Sequence, residues 1–425
     1  METSQLAKKV FYGDRVIWVI FLLLAGCSLI EVFSATSPIV YSPKNTNIWV
    51  PIMRHASFLF GGFLLILFLA HTHYRFFPVA ILLLPVSVVL LIATFFVGIN
   101  VHDASRWLPL FGFQFQPSEF GKLACIVYVA FLLSRRRRFS DDKVFKWIVW
   151  GVAPVCLLIF PFNLSTALLL GSVCFLLMFI GQVPYRKLGK LLFWVTLLGA
   201  VFVFILSVTP QETVRKYVPR AATWQKRVLT FIGSKKADDK TYLIPADEDY
   251  QITHAKAAIA SSGLFWGKGP GRSVQRDFLP QAYSDFIYAI IIEELSIFGG
   301  LFVLMLYIML MVRVGMIARK CKGLFSKYLV IGCGLLIVTQ ALIHMAVNVG
   351  MIPVTGQPLP LISRGGTSTM LTCVYIGIML SISHYSAGMG ETGEMKKGEE
   401  DLPTEMEADS KKNPIFAAES IVSEK

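Results

Sequence analysis

Hydrophobic positions run in long continuous blocks along this chain, and polar positions gather in the segments between them. An apolar stretch of about 20 residues crosses a bilayer as a helix, whereas a transmembrane barrel needs short stretches of alternating polarity. The pattern therefore predicts an all-α polytopic membrane protein with about ten transmembrane helices, at 16–35, 56–71, 76–98, 118–134, 146–161, 165–181, 189–209, 286–314, 327–347 and 367–384.

The composition agrees with this fold class, because 55% of the residues are hydrophobic and only 16% are charged. Soluble domains carry about 25% charged residues. The seven cysteines show no metal-ligand spacing, so a cysteine-bound metal is not expected.

Basic residues in the short connections predict the orientation, because they stay on the cytoplasmic side. Basic clusters precede the first span and follow the fourth, sixth and eighth, which places them all on one side. An even number of spans then predicts a multi-pass protein of the inner (cytoplasmic) membrane with both termini in the cytoplasm. The net charge of +13 is mostly this topology signal, and nucleic-acid binding explains it poorly.

The predicted spans belong to one membrane domain, residues 1–385. It includes a large extracytoplasmic loop at 210–285, in which residues 250–260 are typical of a short amphipathic helix. Residues 386–425 are rich in Glu, Lys, Ser and Gly, and this composition predicts a disordered cytoplasmic tail.

Several spans carry polar side chains, which are functional candidates inside a membrane. Glu119 and Lys122 share a helix face at the start of the fourth span, as a structural pair or as the wall of a cavity. Glu293 and Glu294 lie in the eighth span, where a basic partner would be the structural explanation. Polar residues every fourth position along the ninth span predict a shared polar cavity, although His344 alone is typical of a core histidine; these residues are Gln340, His344 and Asn348.

Asp285 stands where the long loop meets the eighth span. Asp is a favoured helix cap, and a carboxylate at a membrane mouth also suits a base for a substrate that is part lipid and part sugar. The residues alone leave both interpretations open. In the last outer segment, 348–366, the stretch from Ser363 through Gly365 to Thr367 starts a helix whose free N–H groups suit an anion.

Five ordered motifs, spread over nearly the whole chain, resemble those of the SEDS family, which contains FtsW and RodA. The residues that carry the resemblance are Arg106-Trp107 with Gln116-Pro117-Ser118-Glu119 and Lys122, then Arg227-Val228 with Phe231, Ser261–Gly267, Tyr283–Ala289 with Glu293-Glu294-Leu295, and Asn348 to Thr367. The segment Pro353-Val354-Thr355-Gly356 is compatible with both the FtsW and the RodA branch of the family, and we favour FtsW.

The chain also departs from the family pattern in places. A family aspartate is Asn163 here, and the tyrosine of Ser-Tyr-Gly-Gly is Arg364, a positive charge for which the family supplies no role. Within the glycine-rich loop motif, Ser262 replaces a glycine and Trp266 interrupts Leu-Phe-Gly.

The resemblance implies a peptidoglycan glycosyltransferase that polymerises lipid II for septal or side-wall synthesis. It also implies a class B penicillin-binding protein as partner, with other membrane proteins of the division or elongation machinery. Asp285 is the expected general base, and a divalent cation, Mg²⁺ or Mn²⁺, held by Asp285 is left open. The expected substrate-binding residues are Lys122, Glu119, Arg106, Arg227, Arg272, Ser363 and Gly365.

Two other functions fit parts of the same pattern. A transporter that flips lipid II would use the polar cavity and the buried Glu293 and Glu294. A non-catalytic division scaffold would not need Asp285 at all.

Overall fold

A computed structural model describes residues 11–40, 49–97, 99–101, 104–110, 113–209, 221, 225, 247–279 and 282–388. Within these ranges, ten helical segments lie where the hydrophobic pattern predicts spans. They are α1 (Arg15–Val40), α2 (Trp49–His71), a 3-10 helix (Tyr74–Leu82) that continues into α3 (Leu83–Val97), α4 (Pro117–Ser134), α5 (Asp141–Ile159), α6 (Leu164–Ile180), α7 (Tyr185–Val208), α9 (Ile287–Lys320), α10 (Leu324–Asn348) and α11 (Thr367–Gly388).

Eight of these segments are long and apolar enough to cross a membrane. The other two have local reasons for falling short. Helix α6 is apolar but has only 17 residues, and α5 begins with the charged run Asp141-Asp142-Lys143. The tail prediction for 386–425 falls almost entirely outside the described residues.

The interior of the bundle is built mainly from α4, α10 and α11, whose side chains are mostly buried. Helix α7 is nearly all exposed apolar surface, as expected of a helix that faces lipid. Small residues let helices approach closely in a membrane, where lipid removes the hydrophobic drive for association. In the contact between α2 and α11, a Cβ at Gly62 would lie 2.5 Å from Cys373 Sγ, and one at Gly377 would lie 2.8 Å from Leu69 Cβ.

Helix α9 is broken near its first third. Ser296 has φ 82° and ψ 172°, which is not helical, so a buried segment ending at Leu295 precedes the longer remainder of the helix. The break releases backbone groups from the helical ladder. They are taken up by the preceding loop, because Lys268 N and Gly269 N donate to the carbonyl oxygens of Glu293 and Glu294.

The described residues of three segments gather at one end of the bundle, which we call the loop end: 99–101, 104–110 and 113–116 in the first, 247–279 and 282–286 in the second, and 349–366 in the third. The first contains an antiparallel three-stranded sheet of β1 (Ile99–Val101), β2 (Ala104–Leu110) and β3 (Phe113–Phe115). The hydrophobic pattern did not predict this sheet. The second contains α8 (Asp247–Ala260), which confirms the predicted loop helix. The third connects α10 to α11.

Candidate active site

Asp285 lies at the loop end, directly before α9. The N-cap of α9 is Phe286 and makes no side-chain capping bond, so Asp285 stands one residue before the cap position. The Ser284 hydroxyl donates to Asp285 Oδ1 at 2.8 Å. A Cβ at Gly356 would lie 3.6 Å from Asp285 Oδ2, and Gly356 has φ +63°, so glycine both permits this turn and leaves room beside the carboxylate.

Asn348, at the end of α10, caps the start of α9 with its side chain. Its Oδ1 accepts from Ala289 N at 3.1 Å, and its Nδ2 donates to the Asp285 carbonyl oxygen at 3.1 Å. One fully buried amide therefore satisfies the start of α9 and holds the backbone of Asp285. Helix starts need such partners because their first N–H groups have none within the helix.

The polar face of α10 binds backbone groups of the loop end. Gln340 Nε2 donates to the Pro358 carbonyl oxygen at 2.9 Å, and His344 Nδ1 lies 2.8 Å from that of Gln357. The three side chains predicted to line a cavity are all buried, and each holds a neighbouring part of the chain around Asp285. His344 is thus a buried core histidine, as predicted, although its Nε2 has no hydrogen-bond partner among the described residues.

Glu119 and Lys122 form a buried ion pair at the start of α4. The distance from Lys122 Nζ to Glu119 Oε1 is 2.7 Å, and Lys122 Nζ also donates to Gln340 Oε1 at 2.9 Å. An ammonium has three hydrogens to donate, so two have protein acceptors. The pair is thus linked through Gln340 to the 349–366 segment, and its side chains are almost fully enclosed.

The carboxylates of Glu293 and Glu294 bind the loop that precedes Asp285. Glu293 pairs with Lys268 at 2.6 Å, so its basic partner comes from the loop and not from another helix. Glu294 accepts from Gly271 N and Ser273 N, each at 3.1 Å. These contacts hold residues 263–276 against the broken start of α9. The two buried carboxylates, which would be unfavourable without partners, thus bind the loop to the helix.

The remaining predicted substrate residues are placed differently. The Ser363 hydroxyl is buried; it accepts from Leu359 N and donates to the Ser284 carbonyl oxygen at 2.7 Å, so it holds the chain next to Asp285. Gly365 lies two residues before α11. Arg272 is exposed within the docked loop. Arg106 lies in β2 with a side chain outside the described part, and Arg227 is outside the described residues altogether.

Two polar side chains at the site escaped the sequence analysis. Gln357 is buried and its Nε2 donates to Thr166 Oγ1 at 2.7 Å, while Asn163 caps α6 by accepting from Thr166 N. His55 of α2 is buried and lies 2.7 Å from Ser28 Oγ of α1. His55 could have been noticed as an ionisable residue next to an apolar span, whereas Gln357 had no signal beyond its proline-rich surroundings.

Metal-ligating side chains are the last feature of the site. Within the residues that the structure describes, no three His, Cys, Asp or Glu side chains come together in a metal-binding arrangement. The residues described around Asp285 therefore supply carboxylate and hydroxyl oxygen but no resident metal cage.

Comparison with known proteins agrees with the motifs. Residues 14–388 match the family model for cell cycle proteins that covers FtsW, RodA and SpoVE. The chain belongs to this family. The match spans every helix described above, including the Asp285 segment and the polar face of α10.

Among FtsW relatives, the probable peptidoglycan glycosyltransferase FtsW of Bacillus subtilis is 31% identical over 380 residues, covering 86% of this chain and 89% of that protein. The corresponding protein of Legionella pneumophila is 30% identical over 344 residues, covering 78% and 81%.

Solved structures show the same fold. One chain of a peptidoglycan synthase complex that coordinates polymerization and crosslinking superposes with a TM-score of 0.69 at 24% identity, covering 88% of this chain and 98% of that one. The rod shape determining protein RodA of Thermus thermophilus superposes with a TM-score of 0.60 at 23% identity, covering 88% and 97%. The FtsW/RodA/SpoVE fold is thus a multi-pass helical membrane fold in this chain too.

Proposed function

We propose that this chain is a peptidoglycan glycosyltransferase that polymerises lipid II into glycan strands, with Asp285 as general base. The observation that carries the proposal is the placement of Asp285. Its carboxylate stands at the loop end directly before α9, and contacts of Ser284, Ser363 and Asn348 hold the chain around it. The names of the FtsW relatives, probable peptidoglycan glycosyltransferases, support the same activity.

The reaction joins an acceptor sugar hydroxyl to the anomeric carbon of a lipid-linked donor. The new bond forms between the hydroxyl oxygen and that carbon, while the bond from the carbon to the diphosphate breaks and its electron pair leaves with the polyprenyl diphosphate. Asp285 takes the hydroxyl proton, a step that contributes typically 10²–10⁴-fold. The Ser284 hydroxyl donates to Oδ1 and so orients the carboxylate.

The setting follows from the orientation predicted by the basic residues. We place the protein in the cytoplasmic membrane with both termini in the cytoplasm, so that the loop end and Asp285 face outward, where a translocated lipid-linked sugar is available. A class B penicillin-binding protein is the proposed partner, and a role in division is favoured over elongation. The solved relative in a synthase complex supports a partnered enzyme.

Purified protein, with a penicillin-binding partner in liposomes, is expected to lengthen glycan strands from lipid II. Asp285→Asn should reduce the rate by at least about 100-fold, because the base is lost while the shape is kept. Asp277→Asn is the matched control, since Asp277 is an exposed carboxylate in the same loop and should not matter. Full polymerisation by Asp285→Asn would refute the base assignment.

The same liposomes separate the alternatives. Fluorescent lipid II that crosses the bilayer without forming polymer would favour a transporter. Cells that grow normally on Asp285→Asn would favour a scaffold. The loop contacts of Glu293 and Glu294 argue against a transport path along these carboxylates, because both are occupied by protein donors.

A further inference from the structure

Arg364 is the residue for which neither the family pattern nor the mechanism above provides a function. It follows Ser363, whose hydroxyl donates to the Ser284 carbonyl oxygen at 2.7 Å. Its own backbone N donates to the carbonyl oxygen of Tyr283 at 3.1 Å. Two consecutive residues of the 349–366 segment are therefore bonded to the two residues that precede Asp285, so the backbone of Arg364 is fixed beside the proposed base.

The guanidinium of Arg364 is half-buried and lies over the ring of Tyr283, 5.4 Å from its centroid. Burial lowers the pKa of Arg364 from its usual value; Tyr283 opposes this lowering, and the charge of Arg54 on α2 adds to it. In the described part of the chain no carboxylate pairs with Arg364. A partly desolvated cation beside a second cation is unfavourable unless an anion compensates both.

A buried polar pair, Ser28 and His55, is bonded to the chain two residues before this cation. Ser28 donates its only hydroxyl hydrogen to the Ile362 carbonyl oxygen at 2.9 Å, so the 2.7 Å contact with His55 Nε2 uses a hydrogen on the ring. His55 Nδ1 is then left buried without a partner. Through Ser28, His55 is tied to the backbone of Ile362, two residues before Arg364.

The start of α11 adds donors to the same place. Thr367, its first residue, has a buried Oγ1 with no partner. Within the described residues, the amides of Gly365 and Gly366 make no hydrogen bond, and the positive end of the helix dipole lies behind them. Gly366 has φ +53°, a conformation that favours glycine. It lies against Phe58, which follows Arg54 by one helical turn on α2.

We propose that Arg364 and Arg54, together with Thr367 and the amides of Gly365 and Gly366, form an anion subsite for the diphosphate of the lipid-linked donor. The inference rests on the proposed function and identifies the part of the site that binds the leaving group. Negative charge grows on the diphosphate oxygen as the bond to the anomeric carbon breaks, and a guanidinium fork with helix N–H groups stabilises that charge. Arg364 keeps its proton throughout.

The subsite is tested first by binding, without turnover. Full-length protein in phosphatidylcholine nanodiscs is titrated with fluorescent polyprenyl diphosphate and, separately, polyprenyl monophosphate. Arg364→Gln should weaken diphosphate binding roughly ten- to hundredfold, because a charge-assisted bond is lost. Arg364→Lys should lose less, since the charge remains, and monophosphate binding should change less than diphosphate binding.

Two further variants keep the test decisive. Arg54→Gln removes the second cation from an exposed position on α2 and should weaken binding in the same direction, even if Arg364→Gln folds poorly. Arg319→Gln is the control, because Arg319 is an exposed arginine at the opposite end of α9. Unchanged diphosphate affinity in folded Arg364→Gln and Arg54→Gln would overturn the subsite.

Phospholipid head groups share this anion chemistry, so a third titration uses nanodiscs with phosphatidylglycerol. Arg364→Gln that alters the phosphatidylglycerol dependence but not diphosphate affinity would overturn the proposal in favour of a lipid contact. Failures of the two proposals are also separable. Wild-type protein that binds diphosphate but never polymerises refutes the proposed function alone, whereas active protein with an indifferent Arg364 refutes the subsite alone.

Discussion

The side-chain amide of Asn348 binds the backbone of Asp285, with 3.1 Å between Asn348 Nδ2 and the Asp285 carbonyl oxygen. Asn348 Nδ2 also donates to the His344 carbonyl oxygen at 2.9 Å, so the amide is tied to the last turn of its own helix. The proposed base is thus positioned by the end of α10 as well as by its own loop. The strength of that link can be measured.

Asn348→Ala should reduce both stability and polymerisation. Several buried groups lose their partner, and each unsatisfied group costs about 1–3 kcal/mol. The drop in kcat should be about tenfold or more, with KM changed less, because Asn348 positions Asp285. Asn348→Asp keeps an acceptor for Ala289 N but turns a buried carboxylate oxygen towards the carbonyl oxygens of Asp285 and His344, so it should restore neither stability nor activity. Thermal unfolding and glycan-strand-length assays are run on both variants. A stable but slow Asn348→Ala protein would support the positioning role. A destabilised but fully active Asn348→Ala protein would contradict it.

Variants of the Glu119–Lys122 pair can distinguish a structural role of the pair from a role in substrate binding. Lys122→Met leaves Glu119 buried and unpaired, which should cost about 3–5 kcal/mol. Adding Glu119→Gln removes the stranded charge and should restore much of the stability. Since Lys122 is also expected to contact substrate phosphate, the double variant should remain inactive. Unfolding and lipid II polymerisation are measured on the same preparations, and an active double variant would reduce the pair to a structural element.

Gly267→Ala should release the loop that docks on α9. A Cβ at Gly267 would overlap the Glu294 carbonyl oxygen and lie 2.5 Å from Ser296 N, and backbone atoms cannot move aside. The added methyl should cost at least about 1–3 kcal/mol and expose Lys268 to trypsin. Limited proteolysis of the reconstituted protein measures this. Gly315→Ala is the control, because nothing lies near its Cβ and alanine favours a helix; equal protection of Gly267→Ala would show that the docking is loose.

Asp141 should give a small, pH-dependent contribution at the end opposite Asp285. The hydrogen bond from Arg136 is the main cause that lowers the pKa of Asp141 below its usual range. A lowered folded-state pKa stabilises the fold above the ordinary value of about 3.9, and the contribution disappears as pH falls through the folded value. Asp141→Asn should lose about 1 kcal/mol or less at neutral pH, because the pair is partly exposed. Its unfolding temperature should converge with that of wild type in acid; Asp142→Asn, with a more exposed carboxylate, should show a smaller difference.

The ten helical segments of the bundle and the loop helix could be predicted, and the candidate residues could be named, because each depends on the local sequence. A span is a run of apolar residues, a helix has a period, and a carboxylate at a membrane mouth is costly enough to be noticed. The break at Ser296 has no such local signal. Its non-helical backbone is held by the docked loop. A serine inside an apolar run gives no indication that the contacting loop lies about 20 to 30 residues earlier in the chain.

Which polar groups bond to one another was decided by the tertiary structure alone. The sequence by itself determined the membrane fold, the motifs and the presence of Asp285, Lys122 and Arg364. It did not determine that Asn348 binds the start of α9, that Lys268 neutralises Glu293, or that Gly366, two residues after Arg364, packs against Phe58 of α2. Hydrophobic pattern is read along one chain segment, whereas the cost of a buried polar group depends on which distant atom meets it.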